Sequence, residues 1–247
     1  MNKTQFDALI ANIKEFFSET GKTKAVLGLS GGIDSAVVLA LLAKTIGPEN
    51  VTGLLMPNGQ ITKRTSTSDA KMLCENLKVQ YYVVPIGEFL APFEKVAWPQ
   101  NEIAKANLNA RIRAVLLYNY ANSNACLVAG TGNKSEFYLG YFTKYGDAAA
   151  DFFPIGALLK KEVRELAVLL ELPNEFLDKK PSAELWPGQE DEKELGLDYE
   201  TIDSLLPIIL KEKESEVPPV LEDATEKIRA LIKASEHKRQ QAKIISV

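Results

Sequence analysis

The 247-residue sequence is poor in the side chains that define several large classes of chemistry. It holds one histidine, His237, which excludes a multi-histidine metal site and leaves any Ser-His-Asp triad a single candidate base. Its two cysteines, Cys74 and Cys126, fall in no CxxC spacing, so neither a disulfide framework nor a cysteine zinc site is readable. Both sit in apolar runs and read as core residues. The longest unbroken apolar run, Ala36 to Ala43, is eight residues, short of the roughly 18 that a bilayer span requires. At the N-terminus Ala8 to Ala11 is flanked by Asp7 and Lys14, which is no signal peptide, so the expected location is the cytoplasm and no membrane partner is expected. Excess positive charge is lacking as well. With 29 Lys and Arg against 33 Asp and Glu, a net charge of −4 gives no diffuse attraction for a phosphate backbone, and no nucleic-acid partner is expected.

What is present alternates. Residues 2–20 place Phe6, Leu9, Ile10, Ile13, Phe16 and Phe17 at helical spacing. Short apolar runs at 25–29, 51–56, 79–84 and 125–129 read as strands. They are separated by helical stretches over about 35–46, 66–78 and 101–121. Strands without polar alternation, interleaved with helices, predict an α/β fold: a Rossmann-like parallel sheet with helices on both faces. Beyond about residue 178 the composition changes. Residues 184–226 hold 14 Asp or Glu against three Lys and no Arg, which predicts mostly a solvated acidic surface with loops. Within it, Pro181 to Leu195 is a loop long enough to serve as a lid. A last helix is expected over about 221–236, leading to the basic cluster His237-Lys238-Arg239.

The strongest chemical signal is Gly28-Leu29-Ser30-Gly31-Gly32-Ile33-Asp34-Ser35, between a strand and a helix. Glycines there let the backbone approach an anion, and the following helix start adds unpaired N–H donors and the positive end of a dipole. The string lacks the Gly-Lys-[Ser/Thr] of a Walker A loop and does not fit G-x-G-x-x-G. Its hydroxyls and carboxylate resemble the pyrophosphatase-loop (PP-loop) motif of adenylating enzymes, which cleave ATP between the α and β phosphates. A second string, Gly130-Thr131-Gly132-Asn133-Lys134-Ser135-Glu136, follows the strand at 125–129. Loops after neighbouring parallel strands face one another across a crevice. Thr131 and Glu136 are therefore expected beside Ser30 and Asp34, where two carboxylates and phosphate oxygens suit a magnesium ion. The aromatics and lysines of Gly140 to Asp147 suit either stacking on a base or packing in the core.

Taken together, SGGIDSA, GTGNKSE, GYFTKYGDAAADFFPIG, the Lys160-Lys161 helix start, KKPSAELWPGQEDEKELG and the terminal EHKR resemble, in order and spacing, the NAD synthetases. The resemblance covers nearly the whole chain. FTKYGD and KKPSAELW discriminate more sharply than the ATP loop, which GMP and asparagine synthetases share. With no room for an amidase domain, the chain resembles the short, ammonia-dependent branch. The resemblance implies a C–N ligase that converts deamido-NAD, ATP and ammonia into NAD, AMP and pyrophosphate through an acyl-adenylate. It implies ATP contacts from residues 28–35, Thr131, Lys160 and Ser182 (threonine in many members), with Asp34 and Glu136 as magnesium ligands. Asp34, Glu136 and Lys160 are the implied catalytic groups. Arg111, Lys144, Asp151, His237 and Lys238 fall at positions that bind deamido-NAD. It also implies a homodimer and one domain over 1–247: a core of about 22–175, a lid at about 181–195 and a helical region of about 198–247.

Overall fold

A computed structural model describes residues 1–59, 61–182, 186, 188–211 and 217–245. In chain order the first helix is α1 (Lys3–Thr20), followed by β1 (Ala25–Gly28), α2 (Ile33–Ile46), β2 (Val51–Leu55), α3 (Arg64–Leu77) and β3 (Gln80–Val83). A short α4 (Gly87–Leu90) leads to the long α5 (Glu102–Asn124), then β4 (Leu127–Val128), α6 (Lys134–Leu139), α7 (Lys160–Leu169) and α8 (Asn174–Leu177). The C-terminal part contributes α9 (Asp191–Leu195), α10 (Tyr199–Leu210), α11 (Glu222–Ala234) and α12 (Glu236–Arg239).

The four strands form one parallel sheet in the order β3-β2-β1-β4. Alternation along each strand sends side chains to two cores. Ala25 and Leu27 of β1 join α1, α2 and α7 on one face. Val26, Leu54 and Val128 join Cys126 and residues of α5 on the other. Helix α2 lies against the sheet and α7, with Val37, Val38, Leu39, Leu41 and Leu42 all buried, which explains why its sequence is apolar nearly all round. Cys74 and Cys126 are both buried, as expected. A third core, around Ile202, Leu205, Leu206 and Ile228, holds α6, α9, α10 and α11 together.

The structure departs from the sequence reading in two places. Strand β3 lies at the sheet edge, and its Tyr82 and Val83 are exposed rather than covered by a helix. The acidic stretch read from its composition as mostly solvated surface with loops contains α9, besides α10 and the start of α11 within the helical region expected over about 198–247, and two of its carboxylates, Asp191 and Asp203, are buried. Amphipathic patterning of Tyr199, Ile202, Leu205, Leu206 and Ile209 drives this burial, because their shared face requires a partner core. The expected lid partly lies outside the described residues (183–185 and 187 of the KKPSAELWPGQ string); its end is α9. Among the described residues no helix is long and apolar enough to cross a membrane.

Candidate active site

The chain runs outward from β1 to β2 and β3, then returns to place β4 on the other side of β1. The boundary between β1 and β4 is thus the topological switch point, where loops leaving neighbouring strand ends diverge and open a crevice. The two glycine-bearing strings leave these two strands.

After β1, Leu29 N still donates to Leu54 O at 2.9 Å, and the chain then turns into α2. Ser30 Oγ accepts from Gly32 N at 3.2 Å, and Ser35 Oγ donates to Gly32 O at 3.0 Å, so the hydroxyls brace the turn from inside. Gly31 has φ +79°, and a Cβ there would stand 2.2 Å from the Ser66 carbonyl oxygen. Only glycine fits, because the turn rests directly on the first turn of α3. Lys179 fastens this contact: Nζ donates to Gly31 O at 2.9 Å and to Ser66 Oγ at 2.8 Å, and lies 3.5 Å from Asp69 Oδ2. Gly32, the N-cap of α2, supplies no side-chain cap. The first amides of α2 therefore have no intrahelical acceptor and, with the dipole behind them, favour an anion.

After β4, Asn133 caps α6 in a reciprocal box. Its Oδ1 accepts from Glu136 N at 3.0 Å, while Glu136 Oε2 accepts from Asn133 N at 3.3 Å. The same Asn133 reaches across the crevice, where Nδ2 donates to Asp34 Oδ1 at 2.9 Å. Lys160, the first residue of α7, is 2% exposed. Its Nζ donates to Asp34 Oδ2 at 2.5 Å and Glu136 Oε1 at 2.9 Å, and lies 5.2 Å from the centre of the Tyr199 ring. Burial pushes the Glu136 carboxyl up to about 7; the Lys160 ammonium opposes this and the Asp34 charge adds to it. Burial alone would lower the Lys160 ammonium, but the Asp34 and Glu136 charges outweigh it and hold the group above its ordinary value. Two carboxylates and one ammonium thus stand at the mouth of the phosphate turn.

These residues line a cleft of about 740 Å³. Of the sequence-derived set, Gly28, Leu29, Ser30, Gly32, Ile33, Asp34, Ser35, Thr131, Glu136, Lys160, Ser182 and Lys238 line it. Gly31 supports the turn from behind. Arg111, Lys144, Asp151 and His237 lie outside the lining. Three of these cluster beside its rim: Arg111 donates to Lys144 O at 3.3 Å, and Lys144 Nζ donates to His237 O at 2.6 Å. Asp151 faces the sheet, accepting from Val128 N at 2.7 Å and the Tyr118 hydroxyl at 3.3 Å.

Sequence reasoning left several residues without a role. Asn133 was legible in principle, since Asn-x-x-Glu is a capping-box spacing. Lys179 opens the KKPSAELW string but received no role there, because its partners lie on α3 and in the turn at 28–35. Tyr141 carried none either: its hydroxyl donates to Asp191 Oδ1 at 3.1 Å and Glu194 Oε2 at 2.8 Å, and accepts from Gln189 Nε2 at 3.0 Å. This cluster ties the segment at 189–194 to the cleft wall. Burial, followed by the nearby Asp191 and Glu194, raises the Tyr141 phenol, so it remains a donor.

The family model described as NAD synthase matches residues 5–242. An NH(3)-dependent NAD(+) synthetase from Archaeoglobus fulgidus is 42% identical over 98% of this chain and 98% of its own. An NMN synthetase from Francisella tularensis superposes with a TM-score of 0.87 at 36% identity, covering all of both chains. An NH3-dependent NAD synthetase from Campylobacter jejuni, solved with a nitrate ion, does so with a TM-score of 0.84 at 33% identity, again over all of both chains. The crevice at the switch point, with the glycine turn on one side and the carboxylate–ammonium cluster on the other, therefore lies in a chain that belongs, over nearly its full length, to the NAD synthase family.

Proposed function

We propose that this cleft carries out the reaction of its family, the ATP-dependent amidation of deamido-NAD by ammonia to give NAD, AMP and pyrophosphate. The observation that carries the reading is the Asp34–Lys160–Glu136 cluster beside the turn at 28–35. The nicotinate carboxylate is a weak nucleophile that must approach a negatively charged triphosphate. The α2 amides and Lys160 offset that charge and favour the departing pyrophosphate. A carboxylate oxygen bonds to the α-phosphorus as the bond to the β-phosphate oxygen breaks, giving an acyl-adenylate. Ammonia then adds to the acyl carbon, the added nitrogen loses its extra proton, and AMP leaves with the acyl C–O bonding pair. No covalent bond to the enzyme is required. Thr131 and Ser182, both in the lining, supply further ATP contacts. Arg111, Lys144, Asp151, His237 and Lys238 receive the deamido-NAD, whose length lets one half lie outside the cleft near the Arg111–Lys144–His237 rim.

Magnesium fits the donor set. Asp34 and Glu136 present hard carboxylate oxygens, each with a second lone pair beyond its present hydrogen bond, and would hold the ion together with phosphate oxygens of the substrate. When bound, the ion would neutralise phosphate charge. Among the described residues no group of three His, Cys, Asp or Glu stands ready to hold a metal, so substrate oxygens must contribute. A homodimer is the proposed assembly. Tyr82 and Val83 leave exposed apolar surface on the edge strand β3, which a second copy would cover. The proposed division is a core of about 22–175, a closing segment of about 181–195 and a helical region of about 198–247; the cluster around Ile202, Leu205 and Ile228 supports the helical region, although it also takes in Leu139 and Leu159 of the core.

A second reading has one observation behind it. The F. tularensis structure, with the TM-score of 0.87, is an NMN synthetase, so deamido-NMN competes as the acid. Pyrophosphate release measured with ATP, ammonia and either acid separates the two. Release dependent on deamido-NAD, with a kcat/KM above that for deamido-NMN, is expected. A higher value for deamido-NMN would replace the substrate, and release stimulated by neither would overturn the reaction.

A further inference from the structure

The helix that carries Lys160 starts without a cap of its own. Leu159, at the N-cap of α7, has no side-chain oxygen. The Lys160 N–H donates instead to Ser135 Oγ on α6 at 3.1 Å, and the Lys161 N–H to Asp203 Oδ2 on α10 at 2.7 Å. Ser135 in turn donates its hydroxyl to Asp203 Oδ1 at 2.5 Å. Asp203 is 1% exposed and Ser135 fully buried. One carboxylate therefore bonds, directly or through one hydroxyl, both leading amides of α7 and the residue next to Glu136.

A buried carboxylate is costly unless each oxygen receives a strong donor, and here both do, with the positive end of α7 adding to the balance. An apolar or singly accepting residue would fill the same space between Ile202 and Leu205 without linking two helices. We propose that Asp203 is a positioning residue for the adenylation site: through Ser135 and the Lys160 and Lys161 amides, it sets the starts of α6 and α7 so that Lys160 Nζ stands between Asp34 and Glu136. Beside the Tyr199 ring over Lys160, Asp203 thereby couples the C-terminal helical layer to the turn at 28–35. The inference rests on Lys160 and Glu136 being reacting-site groups.

The test uses the full chain with ATP, deamido-NAD and ammonia. Asp203→Asn keeps the volume but supplies one acceptor oxygen where two are needed. Its kcat is expected to fall at least about tenfold, the order that one charge-assisted hydrogen bond yields when it counts fully in the transition state. The KM for ATP is expected to stay within about twofold, since the turn at 28–35 is untouched. Ser135→Ala should fall in the same direction, and the double variant should be little worse than Asp203→Asn alone. A folded Asp203→Asn with unchanged kcat, or with a KM for ATP that rises in step with the fall in kcat, overturns the proposal. If Asp203→Asn does not fold, a folded Ser135→Ala with unchanged kcat overturns it instead. Lys160→Met measured alongside separates the two layers: an inactive Lys160→Met beside a fully active Asp203→Asn removes only the positioning role, whereas an active Lys160→Met removes the reading of the site.

Discussion

Lys160 Nζ and Asp34 Oδ2 meet at 2.5 Å although 126 positions separate them in the chain, and the ammonium brings with it Glu136, 24 positions away. This contact joins the glycine turn after β1 to the start of α7 and, through Glu136, to α6, the helix that follows β4. A fully buried ammonium persists only because two carboxylates face it. The same pair that lets it stay charged keeps it aimed at the mouth of the cleft.

Replacing Lys160 by methionine keeps most of the volume and removes the charge. Asp34 and Glu136 then face one another without a counter-ion, and breaking a buried pair in this way typically costs about 3–5 kcal/mol. The two carboxylates retain 18% and 16% exposure, so the lower end is expected here. Turnover is expected to fall by about two to three orders of magnitude, the range for loss of a group that stabilises transition-state charge. Lowering the pH should restore part of the stability, because one of the two carboxylates then takes up a proton. Thermal unfolding at pH 5.5 and 8 checks this; a stability deficit equal at both would contradict it.

Glu136 itself gives the wild-type chain a pH signature. Burial raises its carboxyl to about 7 in the folded state from an ordinary value of 4.5. Between those two values the folded chain holds more protons than the unfolded one, so this group's contribution to stability is full below about pH 4.5 and is lost as pH rises through about 7. Glu136→Gln removes the titration. Without added metal or nucleotide, the difference in unfolding free energy between Glu136→Gln and wild type should therefore move in favour of the variant across that window and level off above it. Urea midpoints at four or five pH values measure it, and a difference independent of pH would refute the assignment.

Which parts of this molecule its sequence announced follows from the range over which each force acts. The strand and helix periods of Ala25 to Gly28, α2 and α5 are local, and so is the glycine turn at 30–32. All were legible, and the crevice rule then placed Glu136 opposite Asp34 without a structure. The acidic stretch misled because charge density was weighed above the apolar period of Tyr199, Ile202, Leu205 and Leu206, whose burial carries Asp203 inside. Lys179 and Tyr141 stayed silent for another reason. Their roles exist only in partners brought together by tertiary folding, Ser66 with Gly31 for the first and Asp191 with Glu194 for the second.

The contact between the phosphate turn and α3 makes Gly31 the most restrictive position in the loop. Gly31→Ala must adopt a left-handed φ and place its Cβ 2.2 Å from a backbone oxygen that cannot rotate away. The conformation alone costs about 1–2 kcal/mol and the overlap about 1–3 more. Because the turn yields before the sheet does, ATP binding should weaken by at least about tenfold while the unfolding midpoint falls only a few degrees. Titration calorimetry with ATP, set beside a melting curve, gives both numbers. Wild-type affinity in the variant would show that the turn does not hold the nucleotide.

Tyr141 anchors the segment that leads to α9. Its hydroxyl contacts Asp191, Glu194 and Gln189 at 2.8–3.1 Å, and a phenylalanine keeps the ring while releasing all three. Asp191 is buried, and losing a donor there costs about 1–3 kcal/mol of local stability. That cost falls on the segment at 189–195 rather than on the sheet, whose cores are built from other residues. Tyr141→Phe is therefore expected to leave the melting temperature within a few degrees while speeding tryptic cleavage after the exposed Lys193 by about tenfold, since cleavage tracks the population of the locally opened state. Bound ATP and deamido-NAD should slow that cleavage in both proteins if the segment closes over the substrates. Equal cleavage rates in wild type and variant would show that the tyrosine does not hold the segment, and protection absent from both would show that the segment does not close.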